Sequence, residues 1–413
     1  MAYSSTLARN SMLPHLYVPI EDVEKLERYR TRGYHPVMIG DRFQNRYHIV
    51  HKLGYGSYST IWLARDEKVN QFVAVKVCTA DANPHELNVL AHLSALRQNS
   101  SVSAGRGEGR GRDMIPSILD AFKIDGPNGT HSCYVTPPAR MSLSDTKDAS
   151  YIRLFTPDVA RALAAQLAVA VEYLHSQGYA HGDLHHGNVL IQMPSGFDYN
   201  QCSQPELIPI TRFDGKDLSP DIPCHAIVPV WLGKASEKLS LPEAKILLSD
   251  FGESFSPSDV ARFESGNTPL SYPADIWSLA CTIWDIIGQS PLFEGFLAGE
   301  DDMTCEHVDA LGILPPEWWS KWEPRQTRFN EDGKPLDKRS YRSWEDRLED
   351  SVQQPRRVEG MSVFEPAERD ALFLMLRSML SFRPESRPSA EEVLASEWMV
   401  KWALPEAEKA WEA

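Results

Sequence analysis

The period of hydrophobic and polar positions changes along the chain, and the changes divide it. Between Tyr47 and Cys78, three apolar-rich runs (47–53, 60–65 and 71–78) are separated by a glycine-rich turn and by the charged turn Asp66–Asn70. Short runs with turn residues between them predict an antiparallel meander of three strands. Upstream, residues 1–46 form a polar lead-in in which Ile20–Tyr29 predicts one short helix. Downstream, Asn83 as N-cap, Pro84 at the first helical position and Glu86 in the first turn predict a helix running to about Leu96. Residues 98–113, rich in Ser, Gly and Arg, predict a disordered loop, with a nucleic-acid-contacting segment as the alternative. Two more strands are predicted near 115–123 and 132–136.

After Pro137 and Pro138 the period becomes helical. Asp158–Gln177 carries apolar residues at helical spacing and meets Gly178, a C-cap residue. Residues 192–244, polar and rich in Pro and Ser, read as an inserted segment, and a strand is predicted at 244–248. The C-terminal third alternates helices with Pro-rich connections. Its longest apolar run, Ile276–Ile287, is interrupted by Ser, Thr and Asp and is too short to span a bilayer, so it reads as a buried helix.

Composition sharpens this picture at three points. A chain of 413 residues exceeds the size of one ordinary core, so two lobes are expected, and 42% hydrophobic content with 11 Trp can fill them. A net charge of −15 argues against a nucleic-acid surface and suits basic partners, although ordinary acidic solubility accounts for it equally well. The six cysteines are scattered without a CxxC pair, which reads as reduced thiols of an intracellular protein, and no apolar leader marks a secretory signal.

The densest candidate chemistry lies in HGDLHHGN, residues 181–188. Asp183 can accept a proton from an attacking hydroxyl, and Asn188, five positions on, can hold a metal ion on phosphate. The turn carrying Gly54, Gly56, Ser59 and Ile61 brings backbone N–H groups close to a phosphate. Lys76, ending the run VAVK, can reach the α- and β-phosphates, and Ala74 is small enough to roof an adenine ring. A buried ammonium needs a counter-charge. Glu86 is the candidate, because no other acid occurs from residue 87 to residue 107. Asp250 in DFG, after a predicted strand, can bridge Mg²⁺ to the β- and γ-phosphates.

These motifs, in this order, resemble those of eukaryotic protein kinases over about residues 47–400. GYHPV at 33–37, IGD at 39–41, KLGYGSYSTIWL at 52–63, DFGE at 250–253, ADIWSLACTIW at 274–284 and RPESRP at 383–388 are most similar to the serine/arginine-rich (SR) protein-specific kinases, in a fungal form. The resemblance implies an α+β bilobal protein-kinase fold: a small β-rich N-lobe with one main helix and a larger helical C-lobe. Its divisions would be an N-terminal extension (1–46), an ATP-binding N-lobe (47–139), a catalytic C-lobe (140–401) with the insert 192–244, and a tail (402–413). It implies ATP contacts from Leu53, Gly54, Gly56, Ser57, Ser59, Ile61, Ala74 and Lys76, with Thr136 behind the adenine and the N–H of Ala139 facing it. Asp275 would hold the catalytic loop, and Arg387 would be structural.

Two departures stand out. His181-Gly182-Asp183 replaces the usual His-Arg-Asp, and His185 stands where serine/threonine kinases place a lysine; His185 joins Asp183, Lys76 and Glu86 as a candidate catalytic residue. The loop also resembles that of aminoglycoside and choline phosphotransferases. In addition, only 25 positions separate Asp250 from Asp275, with no Ala-Pro-Glu between them. Val260 then falls at the place of the missing Glu, Arg387 lacks its usual carboxylate, and Glu264 is the substitute nearby in sequence. The acids Glu300, Asp301, Asp302, Glu306 and Asp309 lie where related kinases dock Arg-rich peptides, and equally suit a solvated helix face.

The expectation is a serine/threonine kinase that uses ATP and Mg²⁺ on Arg/Ser-rich, splicing-related proteins. It would be a monomer of the cytoplasm, with the nucleus as a second location, binding neither nucleic acid nor membrane. A nucleotide-binding pseudokinase or scaffold, favoured by the missing activation segment, and a small-molecule phosphotransferase are the rivals.

Overall fold

The structure is a computed structural model that describes residues 16–99, 106–194, 196–199, 202–260, 271–295, 298–336 and 342–413. Its Cα packing separates two units. The first comprises residues 1–91, 117–138 and 195–232, and the second residues 92–116, 139–194 and 233–413.

The first unit is built on a six-stranded antiparallel sheet, ordered β1-β2-β3-β4-β6-β5. The strands are β1 (Arg42–Phe43), β2 (Tyr47–Gly56), β3 (Ser59–Asp66), β4 (Gln71–Cys78), β5 (Asp120–Gly126) and β6 (Gly129–Thr136). Alternation sorts the side chains between the faces. Tyr47, Ile49, Trp62, Ala64, Val73, Val75, Val77, Cys133 and Val135 share one core with Val37, Phe43 and Ile227. Full burial of such aliphatic chains contributes about 1.5–3 kcal/mol each.

The lead-in and part of the insert are structural members of this unit. Tyr17, Leu26, Tyr29 and Tyr34 pack with Ile210, Ile222 and Ala226 in a second apolar cluster. Within the insert, Leu207–Pro209 pairs antiparallel with His225–Ile227, and the Val230 N–H donates to the Lys52 carbonyl. The helix expected at 20–29 is reduced to a single 3₁₀ turn, Leu26–Arg28, and Ile20, Val23, Leu26 and Tyr29 from this segment pack into that cluster.

The helix opening at His85 runs to Asn99, and the Asn83 side chain accepts from the His85 N–H as expected of an N-cap. The predicted disordered loop is corrected in part: Arg106–Asp113 is helical, and residues 100–105 lie outside the described residues. Gly111 explains the correction. A Cβ there would stand 2.5 Å from Tyr173 Cβ, so the glycine lets this helix lie directly on helix Pro157–Ser176.

Helix Pro157–Ser176 is the core of the second unit, with fourteen residues buried. It ends where Gly178 takes φ +85°, a left-handed conformation that favours glycine. Helix Tyr272–Ile287 is buried as expected. A three-stranded sheet joins Ile246–Leu248, Val189–Gln192 and Ala139–Ser142. No described helix is long and apolar enough to cross a membrane.

Candidate active site

The first unit positions the glycine-rich turn and Lys76. Strands β2 and β3 meet through Gly56 opposite Ser59, and β3 pairs Ile61 with Lys76 on β4. Ala74 pairs with Thr136 across β4 and β6. The Lys76 ammonium donates to Glu86 Oε2 at 2.5 Å, both groups being mostly buried, so the ion pair expected by elimination is formed.

Gly54 and Gly56 carry no positive φ, and a Cβ at either would meet no protein atom within 4 Å. Neither torsion nor crowding within the chain therefore requires glycine. What glycine leaves is bare backbone facing open space, which suits a phosphate group. Leu53 and Ile61 flank this turn half-buried, Ser57 is exposed at its tip and Ser59 is buried.

The second unit positions the acids. Asn188 precedes Val189, and Asp250 follows Leu248 by two residues. Because Val189 and Leu248 are antiparallel partners, the two candidate metal ligands emerge at the same end of adjacent strands. The Asn188 carbonyl reinforces this by accepting from the Ser249 N–H at 2.8 Å and from its hydroxyl at 2.9 Å. Asn188 donates its side-chain N–H to the Asp183 carbonyl at 2.9 Å and to Asp183 Oδ2 at 3.2 Å. Asp250 takes φ +61°, a conformation few non-glycine residues adopt. Phe251, fully buried against the His181 ring, fixes the turn that holds it there.

Asp275 organises the loop that carries Asp183. Its Oδ2 accepts from the His181 N–H at 2.6 Å, and its Oδ1 from the Gly182 N–H at 2.9 Å. Burial alone would push this carboxyl up. Hydrogen bonds from His175 and from the two backbone N–H groups outweigh that and hold it below the usual carboxylate range. Burial pushes the His181 imidazole down, and its Nε2 lies 3.0 Å from the Ser249 carbonyl. His175 was not singled out from the sequence. Its Nε2 meets Asp275 Oδ2 at 2.9 Å, a contact between residues 100 positions apart that no local pattern announces.

Other expected residues are placed as follows. His185 is half-exposed; its Nδ1 accepts from the Gly187 N–H at 3.1 Å, and its Nε2 lies 3.7 Å from Asp183 Oδ2. Ala139 opens a short strand opposite Gln192. Arg387 is re-paired with carbonyl oxygens, donating to Ser381, Phe382 and Pro273, and it lies over the Trp277 ring at 4.8 Å. Glu264 and the stretch following Val260 lie outside the described residues. The acids of helix Glu300–Leu311 are largely engaged within the chain. Asp302 pairs with Arg328 and Glu306 with Arg347, while Asp301 accepts from the Trp322 indole N–H.

Among the described residues, no three His, Cys, Asp or Glu side chains cluster as a metal cage. An amide and a carboxylate at one strand end instead suit a cation that completes its shell with phosphate and water oxygens.

Residues 47–198 match the protein kinase domain family. The chain is similar to a serine/threonine protein kinase of Aspergillus fumigatus, 25% identical over 399 residues that cover 93% of this chain and 91% of that protein. It is also similar to the serine/threonine-protein kinase SRPK of Physarum polycephalum, 24% identical with 91% of each chain covered. Human SRSF protein kinase 3 is 33% identical over 175 residues, covering 41% of this chain and 30% of that one.

Proposed function

The chain is an SR-protein-kinase-like eukaryotic protein kinase, and from that premise we propose that it moves the γ-phosphate of ATP onto serine residues of Arg/Ser-rich proteins, as a serine/threonine kinase tied to RNA splicing. A protein kinase domain implies ATP and a divalent metal; we take the metal to be Mg²⁺, held by Asn188 and Asp250. When bound, the metal supplies charge neutralisation on the phosphates. Lys76, oriented by Glu86, contacts the α- and β-phosphates, and the backbone of the turn 54–59 lies over them. Asp183 orients the serine hydroxyl and accepts its proton, and His185 beside it supplies a donor where related kinases use lysine. Leu53, Ile61, Ala74, Thr136 and the Ala139 N–H enclose the adenine. We place the protein in the cytoplasm and nucleus, as a monomer that binds neither nucleic acid nor membrane.

One observation carries this reading. Asp183 sits in a loop whose entry is fixed by Asp275, through the His181 and Gly182 N–H groups, and whose exit is fixed by Asn188, which also donates to the Asp183 carboxylate. A carboxylate restrained in this way, beside the strand end that carries Asp250, suits proton acceptance during phosphoryl transfer. The scaffold reading gains no support from relatives that are named as kinases.

The test is transfer of labelled phosphate from ATP to a peptide of Arg-Ser repeats. The wild type should label serine in the presence of Mg²⁺, and Asp183→Ala should not, while keeping ATP affinity. ATP binding without transfer by the wild type would instead establish the scaffold.

A further inference from the structure

The lead-in to the catalytic domain makes an unexpected contact with the glycine-rich turn. The Tyr34 hydroxyl donates to the Gly56 carbonyl at 2.7 Å, and its ring is only 3% exposed. The side chain therefore has no freedom to turn away.

The backbone that carries Tyr34 is equally fixed. A Cβ on Gly33 would overlap the Arg28 carbonyl oxygen at 1.8 Å, so the chain closes there as only glycine allows. The Tyr34 carbonyl accepts from the Asn128 side chain at 2.7 Å, and that side chain also donates to the Asp221 carbonyl. The N–H groups of Ala80 and Asp81, just past β4, donate to the carbonyls of Gly33 and Arg32. Arg28 covers the rings of both Tyr34 and Tyr58, at 5.2 and 5.4 Å, and so ties the platform to the tip of the turn. Below it, buried Lys52 pairs with Glu24, which also accepts from the Tyr29 hydroxyl. Lead-in, insert and β-hairpin meet at this one point.

A trans peptide places its C=O and N–H on opposite edges of one plane. Holding the Gly56 oxygen on Tyr34 therefore turns the Ser57 N–H to the opposite edge, away from the platform. An anion cradle made of backbone N–H groups depends on that orientation, and Gly56, with no side chain to restrict the peptide, would otherwise leave it loose.

We propose that Tyr34 is a positioning residue for the nucleotide phosphates: it locks the 56–57 peptide so that the turn presents its N–H groups to ATP before ATP arrives. The inference rests on the reading above that this turn takes the phosphates. It makes the lead-in a built-in brace of the nucleotide site, with preorganisation as its contribution.

Calorimetry on the full chain with ATP and with adenosine tests it, since adenosine lacks the phosphates. Tyr34→Phe keeps the ring and removes only the donor. It should weaken ATP about threefold to tenfold, the range of one hydrogen bond, and leave adenosine unchanged. Equal weakening of both ligands, or no change in ATP, would overturn the proposal. Should Tyr34→Phe not fold, Arg28→Ala, which uncovers both rings, should show the same selective loss, and its absence would overturn the proposal equally. Lys76→Met separates the two levels of the argument. If it leaves ATP affinity intact, the underlying site reading fails; if it weakens ATP while Tyr34→Phe does not, only the brace fails.

Discussion

A Cβ built on Gly182 would stand 2.3 Å from the backbone carbonyl oxygen of Glu253. Gly182 also takes φ +81°, a conformation that costs a side-chain-bearing residue about 1–3 kcal/mol. The cause is local: Ala180 and Phe255 exchange both backbone hydrogen bonds, drawing the segment after Asp250 tightly against the catalytic loop. The departure from His-Arg-Asp is thus required by this loop's geometry. Gly182→Arg, which restores the usual motif, should lower kcat by about tenfold or more and lower the melting temperature. Peptide phosphorylation and a thermal scan check both, and a gain of activity would contradict the argument.

The Lys76–Glu86 pair is partly buried and charge-assisted. Hydrogen bonds to charged groups contribute about 1.5–3 kcal/mol. Glu86→Gln keeps the shape and removes the charge, so kcat/KM for ATP should fall about tenfold to a hundredfold, and the melting temperature should fall as well. Steady-state kinetics at varied ATP measure this, and an unchanged kcat/KM would show that Lys76 needs no carboxylate partner.

The sheet order around Lys76 and the helix carrying Glu86 were legible because strand period, turn residues and an N-cap all act locally. That Asp275 would hold the loop carrying Asp183, and that Asp250 would follow a strand, could be read because motif spacing encodes it. Three things were not legible. Residues 106–113 look disordered by composition, yet Gly111 permits close helix packing against Tyr173. Among the described residues, Arg387 is paired with carbonyl oxygens rather than with a carboxylate. The polar insert gave no sign that Ile210, Ile222 and Ala226 would close a core with the lead-in, because that core is assembled from segments nearly 200 residues apart.

An ion pair adjoins that core through Tyr29, whose hydroxyl donates to Glu24. Lys52 is fully buried and Glu24 nearly so; burial pushes the Lys52 ammonium down, and Glu24 partly offsets this. Removing one partner leaves the other charge buried and uncompensated, at a cost of about 3–5 kcal/mol. Glu24→Gln and Lys52→Met should each be strongly destabilising. The double variant Glu24→Gln/Lys52→Met should recover much of the loss, because no charge then remains to desolvate. A double-mutant cycle by urea unfolding measures the coupling, and simple additivity of the two losses would count against it.

The lead-in should also loosen in acid. The His35 ring packs 4.9 Å from the fully buried His131 ring, and no described group pairs with His35 Nδ1 or His131 Nε2. Burial and the neighbouring His131 push His35 down to about 4. Burial also lowers His131, against its Cys78 carbonyl contact and Asp125. A group with a depressed folded-state pKa favours the folded state fully above its unfolded value, near 6.5. Below that value the unfolded chain takes up a proton that the folded chain refuses, so stability falls from about pH 6.5 down to about pH 4. His35 keeps some solvent contact, which limits its share to on the order of 1–2 kcal/mol. Melting temperatures at pH 7.5 and pH 5 should therefore differ more in the wild type than in His35→Gln, which no longer titrates there. Equal slopes in the two proteins would show that His35 contributes nothing to the acid sensitivity of this packing.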